Sequence, residues 1–571
     1  MSSAPDDAPR TAAEAFLHTL ARLGVEHLYV GAGTDTAPVI EAYARQNVSG
    51  LRFPQPVVTA HENLAVGMAH GYYMVSRKPQ ALMLHVSVGA ANAVCGIMNA
   101  ARAQVPVFLA AGRTPLLERG RFGARDNTVH WGQEMFDQAG MLREFTKWDY
   151  ELRDAANTVE LVERAHAIAM AEPRGPVYLT LPREVLASEV PQQPAAGSVC
   201  IPAAPHPDRD PVRELARKLD AAQFPVIVCT ASGTDPRTLQ QLASLADRFA
   251  IAVAESKPRV VNFPSSHALH AGFDVAGILR EADALLFLES DVPWLPGKAQ
   301  PRSDAFVAHA GTDPLFASHP VRHFRADLLI TGTAGSLLTA LAEELENLEG
   351  RRAAERRRAR LSAFAASAQA AAQAQWDADE ARGGAISKIF LSRCLDQVQE
   401  DDTAVVSEYS ALRECMRLDQ PDSFFLLPNA GGLGWGLPAA LGARQARPNH
   451  VVFAALGDGA YVFANPAACH HASAMHGLPV VTVVFDNGGW DAVHKTALAV
   501  YPDSHLAEHV RRHGRAPLSD LSPIPEFTNY VTASGGLGIK VSRREELVPA
   551  LRRAADSVRR GVQALVHVKG R

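Results

Sequence analysis

The chain has 571 residues, of which 47% are hydrophobic and 20% charged, and carries a net charge of -5 at pH 7. That length exceeds a single hydrophobic core and predicts three or four domains of ordinary size. The mild acidity offers no electrostatic footprint for nucleic acid or an anionic membrane, and no apolar run approaches the ~18 residues of a membrane span.

Residues 1–10 are polar, with no apolar core for a signal peptide. Six scattered cysteines, with no CxxC pair, predict reduced and mostly buried thiols in a cytoplasmic protein rather than a zinc site. Apolar residues at helical spacing over 11–23 predict a helix that Gly24 stops. A strand over 25–30 then runs into the turn Gly31-Ala32-Gly33-Thr34-Asp35. The third glycine of a GxGxxG loop is missing, since Thr36 stands there, so this is read as a plain strand-to-helix turn.

Val57-Val58-Thr59 leads to His61-Glu62-Asn63 and a helix of small residues. The strand over 81–86 ends at a glycine- and alanine-rich turn over 87–92, and a helix and the strand over 106–111 follow. The unit closes near 175–182. This alternation predicts a doubly wound parallel sheet. A Pro- and Ala-rich linker over 188–210 leads to a second α/β unit with strands over 225–229, 284–288 and 327–331. The Ala-, Glu- and Arg-rich stretch over 343–375, including the basic run 351–358, reads as a solvated connecting helix rather than a phosphate-binding patch.

The third unit begins near Ala385. Its strand over 404–406 ends at Ser407-Glu408-Tyr409-Ser410, and a glycine-dense loop over 429–442 opens a helix. So many glycines predict close approach of backbone to a ligand. An apolar, β-branched run over 451–456 ends in Gly457-Asp458-Gly459, and a second over 478–485 ends in Asp486-Asn487-Gly488-Gly489-Trp490. Both read as buried parallel strands. Their carboxyl ends, where open α/β sheets bind ligands, would offer a carboxylate, a side-chain amide and glycine carbonyls. Hard oxygens of that kind suit Mg2+ holding a diphosphate.

Gly-Asp-Gly followed roughly thirty residues on by an Asn pair resembles the thiamine diphosphate motif. Here Asp486 replaces the first Asn and Asn487 keeps the second. The resemblance extends along nearly the whole chain, through Gly24-Val25-Glu26-His27, His61-Glu62, the stretch 86–93 and Gly431-Gly432-Leu433-Gly434-Trp435-Gly436. The sequence thus resembles the thiamine diphosphate-dependent enzymes of the acetolactate synthase, benzoylformate decarboxylase and pyruvate oxidase group. It implies an α/β fold of three doubly wound parallel-sheet domains: pyrimidine-binding over 10–187, central over 211–345 and diphosphate-binding over 385–571. Linkers over 188–210 and 346–384 would join them.

The resemblance also assigns roles. Glu62 matches the glutamate that hydrogen-bonds the pyrimidine and promotes the C2 ylide, and is expected to be buried. Leu433, beside Gly432, matches the side chain that bends the cofactor. Asp458, Asn487 and the Gly489 carbonyl match the Mg2+ ligands. Tyr409, Ser410, Gly457, Gly459 and Ala460 fall where the diphosphate is held, with helix N-termini expected after Gly459 and after Ser410. His85 falls at an active-site histidine of benzoylformate decarboxylase, as a proton relay or a structural group. Gln133 resembles a glutamine of acetolactate synthases bordering the reaction centre. Thr34, Trp490 and His494 are substrate candidates. Lys495 would bind a carboxylate or phosphate, or face solvent.

The activity so implied is thiamine diphosphate- and Mg2+-dependent cleavage or formation of a C–C bond next to a carbonyl. Acetolactate synthase-like decarboxylation of a 2-oxo acid, with or without carboligation, leads. A 2-hydroxyacyl-CoA lyase, a benzoylformate decarboxylase-like enzyme and a non-catalytic cofactor-binding relative are the alternatives. The implied assembly is a homodimer or homotetramer with shared active sites. Relatives bind FAD or ADP in the central domain, and 226–235 carries no glycine fingerprint that decides for either.

Overall fold

The structure, a computed structural model, describes residues 8–191, 199–348 and 351–570. Residues 192–198 of the expected linker, and the side chains at 351–353 of the basic run, lie outside the described residues. Three parallel sheets organise the chain. The first contains β1 (His27–Val30), β2 (Gln55–Val58), β3 (Gln80–Leu84), β4 (Val107–Arg113), β5 (Asp149–Glu151) and β6 (Val177–Pro182), in the order β2-β1-β3-β4-β6-β5. The second contains β7 (Pro225–Cys229), β8 (Ala252–Glu255), β9 (Ala284–Leu288), β10 (Phe306–Gly311) and β11 (Leu328–Thr331), in the order β11-β10-β9-β7-β8.

Of the remaining strands, β12 (Thr403–Glu408) pairs with β13 (Phe424–Leu426). β14 (Val451–Gly457), β15 (Val481–Asp486), β16 (Leu537–Val541) and β17 (Ala564–Lys569) lie in the order β14-β15-β17-β16. By contact the chain forms two compact units, Met1–Pro202 with Leu427–Arg571, and Ala203–Leu426. Strands β3, β7, β9 and β15 are buried along their whole length. That is why they read as continuous apolar runs rather than alternating ones. Among the described residues no helix is long and apolar enough to cross a membrane.

The helices Glu62–Ser76 and Gly436–Ala446 lie backbone to backbone. A Cβ on Gly71 would overlap the Ala439 carbonyl, and one on Gly442 the Met68 carbonyl. The approach that Gly71 and Gly442 serve is to the facing helix.

Three local expectations are corrected. The stretch 87–92 is not a turn but lies inside the helix Val86–Arg102. The reversal is completed in one residue, with Val86 at φ 32. The small residues behind it let the helix lie close to Glu62 and Asn63, with a Cβ on Gly89 just 3.3 Å from Glu62 Oε1. No helix starts after Ser410. The chain leaves β12 through Tyr409 at φ 66 and enters a single 3-10 turn, Arg413–Cys415.

The basic run is not uniformly solvated either. Arg357, in the helix Arg351–Arg382, is 3% exposed and donates to the carbonyls of Leu219, Asp220, Ala222, Phe249 and Ala250. Those carbonyls lie where the helices Arg209–Ala221 and Arg237–Phe249 end and lack partners of their own.

Candidate active site

The carboxyl ends of β1, β3 and β4 converge on a cluster of side chains. Glu62 is the first residue of its helix, after the N-cap His61, whose Nδ1 accepts from Asn63 N. Its Oε2 accepts from Asn92 Nδ2 at 3.0 Å. The residues beside it are Gly31 and Gly89, whose missing side chains leave its carboxylate room: added Cβ atoms would stand 3.7 and 3.3 Å from Oε1. It is half-buried rather than fully buried.

His85 follows β3. Its Nδ1 meets Asp35 Oδ1, and its Nε2 lies 3.2 Å from Gln133 Nε2. Asp35 is 2% exposed and also accepts from Val86 N at 3.4 Å. The hydrogen bond that His85 donates to Asp35 raises the His85 pKa. Burial opposes it, and the charges of Asp35 and Glu62 add to the rise. Gln133 is fixed through its carbonyl, which accepts from Ser87 Oγ at 2.9 Å. Its neighbour Glu134 is held by Thr114, Arg113 and Arg125. Thr34 is exposed, with Oγ1 3.4 Å from His130 Nε2.

The second cluster lies at the carboxyl ends of β14 and β15. Asp458 opens the short helix Asp458–Phe463 and is 3% exposed. Its Oδ1 accepts from Gly459 N at 2.8 Å, and its Oδ2 from Gly488 N and Gly489 N at 2.8 and 3.0 Å. Burial raises its pKa and the nearby Asp486 charge adds to the rise, while the three amides work against it. Asn487 Oδ1 accepts from Gly489 N at 3.2 Å, and Arg515 donates to the Asn487 carbonyl. The Gly489 carbonyl accepts from Asp491 N at 3.0 Å.

Trp490 packs edge-on to Phe463, with ring centroids 5.5 Å apart, and leaves no room for a Cβ on Gly459. His494 Nδ1 accepts from Ala516 N, a structural bond, and Lys495 pairs with Asp491 one turn away. Leu433 is set by Asn99, whose side-chain amide both donates to and accepts from the backbone of Gly432 (2.8 and 3.1 Å). Ala460 is buried in the Asp458 helix. In the other unit, Ser410 is buried with no hydrogen-bond partner for its Oγ, next to Tyr409 at φ 66.

These features fit a diphosphate and a divalent cation. A buried carboxylate disfavoured as an anion, an amide oxygen and a backbone carbonyl are hard donors. Sequence reasoning missed Asp35, Asn99 and Arg515. Asp35 stood in a stretch read only as a turn. A buried acid directly after a chain of small residues at a strand end was the one signal available.

Residues 10–141 match the family model described as the thiamine pyrophosphate enzyme N-terminal TPP binding domain, and residues 406–568 match the C-terminal TPP binding domain. A benzoylformate decarboxylase of Pseudomonas aeruginosa is 26% identical, covering 95% of this chain and 96% of the relative. A sulfoacetaldehyde acetyltransferase of Castellaniella defragrans is 25% identical over 96% and 91%. An acetolactate synthase of Mycobacterium bovis is 24% identical over 95% and 86%. Among solved structures, the thiamine diphosphate-dependent 4-hydroxybenzoylformate decarboxylase of Rhodococcus jostii RHA1 superposes with a TM-score of 0.78 at 20% identity, covering 98% and 99% of the two chains.

Proposed function

The chain belongs to the thiamine pyrophosphate-dependent enzymes, and on that premise we propose that it breaks or makes a C–C bond next to the carbonyl of a 2-oxo acid, with Mg2+ holding the cofactor diphosphate. Acetolactate synthase-like decarboxylation, with or without transfer of the acyl unit to an acceptor, is the reading supported best. Bound thiamine diphosphate supplies the electron sink for the carbanion that such a reaction leaves.

The chain's own residues divide the remaining work. Glu62 would hydrogen-bond the pyrimidine ring, and glycines on either side keep its carboxylate approachable. Leu433 would support the cofactor from a loop pinned by Asn99. Asp458, Asn487 and the Gly489 carbonyl would hold Mg2+, with Gly457, Gly459, Ala460, Tyr409 and Ser410 about the diphosphate. His85 moves a proton at Nε2, beside Gln133. The same reading makes the enzyme a cytoplasmic homodimer or homotetramer, and keeps the domain divisions given above.

The observation that carries this reading is Glu62, a carboxylate at the start of its helix that accepts, among the described residues, from the side chain of Asn92. Replacing it by Gln keeps the shape and removes the charge. Glu62→Gln is expected to lower kcat by about 10²–10⁴-fold, the range of a lost acid–base group, for whichever of pyruvate, benzoylformate and a 2-hydroxyacyl-CoA the purified enzyme turns over with thiamine diphosphate and Mg2+. Unchanged turnover would remove the assignment. A benzoylformate decarboxylase-like reaction is the second reading. His85 leaned to that enzyme and Gln133 to acetolactate synthases, yet the two side chains touch and form one cluster. Product analysis of the screen separates the two.

A further inference from the structure

We infer that Asp35 is a positioning residue. It accepts a hydrogen bond from His85 Nδ1–H, leaves Nε2 as the nitrogen that gains and loses a proton, and so couples the state of Nε2 to the orientation of the Gln133 amide. The inference rests on the reading of His85 as a proton relay.

The geometry is built for this contact. Asp35 lies in the 3-10 turn Thr34–Thr36 and is 2% exposed. A buried carboxylate without a partner is costly, and its side-chain partner here is the His85 imidazole. Space for the pair is kept by two glycines. A Cβ on Gly33 would overlap the His85 ring, and one on Gly112 would overlap the Asp35 carboxylate. Val86, next to His85, sits at φ 32, in a region that a β-branched residue rarely adopts. Strain of this kind is retained at functional sites when the surroundings enforce it. The Val86 N–H that results points at Asp35 Oδ2.

At the other end of the ring the Gln133 amide faces Nε2, while Gln133 Oε1 is buried and has no partner. A neutral imidazole with its proton on Nδ1 accepts from the Gln133 NH2, which leaves that oxygen orphaned. An imidazolium has a proton on both nitrogens, and a turned amide would accept it at Oε1. The amide therefore has one satisfied orientation for each protonation state. Asp35 and Glu62 are the acids facing the ring, and both favour the charged form. The cations of the neighbouring turn are Arg183, 3.5 Å from the Thr34 carbonyl, and His130 when protonated. As the relay proposed above, Nε2 would give its proton to the substrate carbon that has lost CO2 and would regain one from solvent. No oxidant or reductant is needed.

The test is the 15N spectrum of histidine-labelled holoenzyme across pH, with the His85 signals identified by their loss in His85→Gln. In the wild type, Nδ1 stays protonated throughout and Nε2 alone titrates. In Asp35→Asn the fixed tautomer is lost and the His85 midpoint falls by one pH unit or more. The limb of the kcat profile that belongs to this group moves with it, and Asp35→Glu restores both. Gln133→Glu, which places a carboxylate at Nε2, moves the midpoint the other way and serves if Asp35→Asn does not fold. A wild-type Nδ1 that itself titrates, or a His85 tautomer and midpoint unchanged in Asp35→Asn, overturns the inference. If His85→Gln leaves kcat unchanged, the relay reading fails instead, and the ring spectra still decide whether Asp35 positions the imidazole.

Discussion

At the scale of single residues, Asp486 explains how the chain departs from the Asn-Asn motif without losing the proposed clamp. It is buried at the end of β15, directly beside Lys569 of β17 in the strand register. It accepts from Lys569 Nζ at 2.6 Å and His567 Nε2 at 2.8 Å. Burial alone would raise its pKa, but these two bonds hold it at about 2. Its Oδ1 accepts from Gly488 N at 3.0 Å, so the residue also shapes the loop that carries Asn487. Asp486→Asn restores the common motif but strips a carboxylate from Lys569 and His567. Relief of repulsion on Asp458 works in the other direction, but it acts through space, whereas two hydrogen bonds are lost or weakened. The variant is expected to lose about 1–3 kcal/mol of stability, toward the lower end because Lys569 is 58% exposed. Urea unfolding without cofactor measures it, and equal stability would show that the compensation is idle. Lys569 lies too far along the chain from Asp486 for any local pattern to have paired them.

Elements were legible wherever the signal was local. Buried parallel strands announce themselves as apolar runs, and β7, β9 and β14 begin where the composition placed them. Where the decisive contact was non-local, the sequence misled. The turn expected over 87–92 is helix because the small residues face Glu62 and Asn63, and Arg357 is buried because distant helix ends need donors. Nothing in the sequence pairs Asn99 with Gly432 or Asp35 with His85. In the central unit β8 ends in Glu255, fully buried, which accepts from Arg413 Nη2 at 3.0 Å and lies 3.2 Å from His270 Nε2. Burial would raise the Glu255 pKa, but Arg413 and His270 bring it below its ordinary value. A group depressed in the folded state stabilises fully above its unfolded pKa, about 4.3, and that stability is lost as pH falls through the lower folded value. Arg413→Met leaves a buried carboxylate alone and is expected to cost about 3–5 kcal/mol at pH 7. The gap from the wild type should narrow as pH drops toward about 4.3, because burial lets the lone Glu255 of the variant take a proton first, and should narrow further as the wild type loses its own stabilisation below that pH. Urea melts at pH 7 and pH 4 test this, and a gap independent of pH would mean that the charge of Glu255 is not what the variant exposes.

For the whole molecule, the two family matches at 10–141 and 406–568 flank a long central stretch, and Glu62 and Asp458 both belong to the unit formed by Met1–Pro202 and Leu427–Arg571. A cofactor that binds only the folded chain stabilises it by mass action, by about 2.7 kcal/mol at a hundredfold excess over Kd. For units of this size that is a rise of several degrees in Tm. Because the chain forms two units, melting need not be a single transition. The expectation is therefore specific: the transition that unfolds the unit holding Glu62 and Asp458 should rise when thiamine diphosphate and Mg2+ are added together. Either alone should do less, because the cation and the diphosphate share the proposed ligands at Asp458 and Asn487. Excess EDTA should return the transition to its starting temperature, and Asp458→Asn should abolish the rise while folding on its own, since its one amide oxygen can keep the bonds from Gly488 N and Gly489 N and only the one from Gly459 N is lost. Calorimetry with the four combinations of cofactor and metal decides the matter. A rise with thiamine diphosphate that EDTA leaves intact would detach the diphosphate from the metal clamp, and no rise at all would remove the cofactor from this unit.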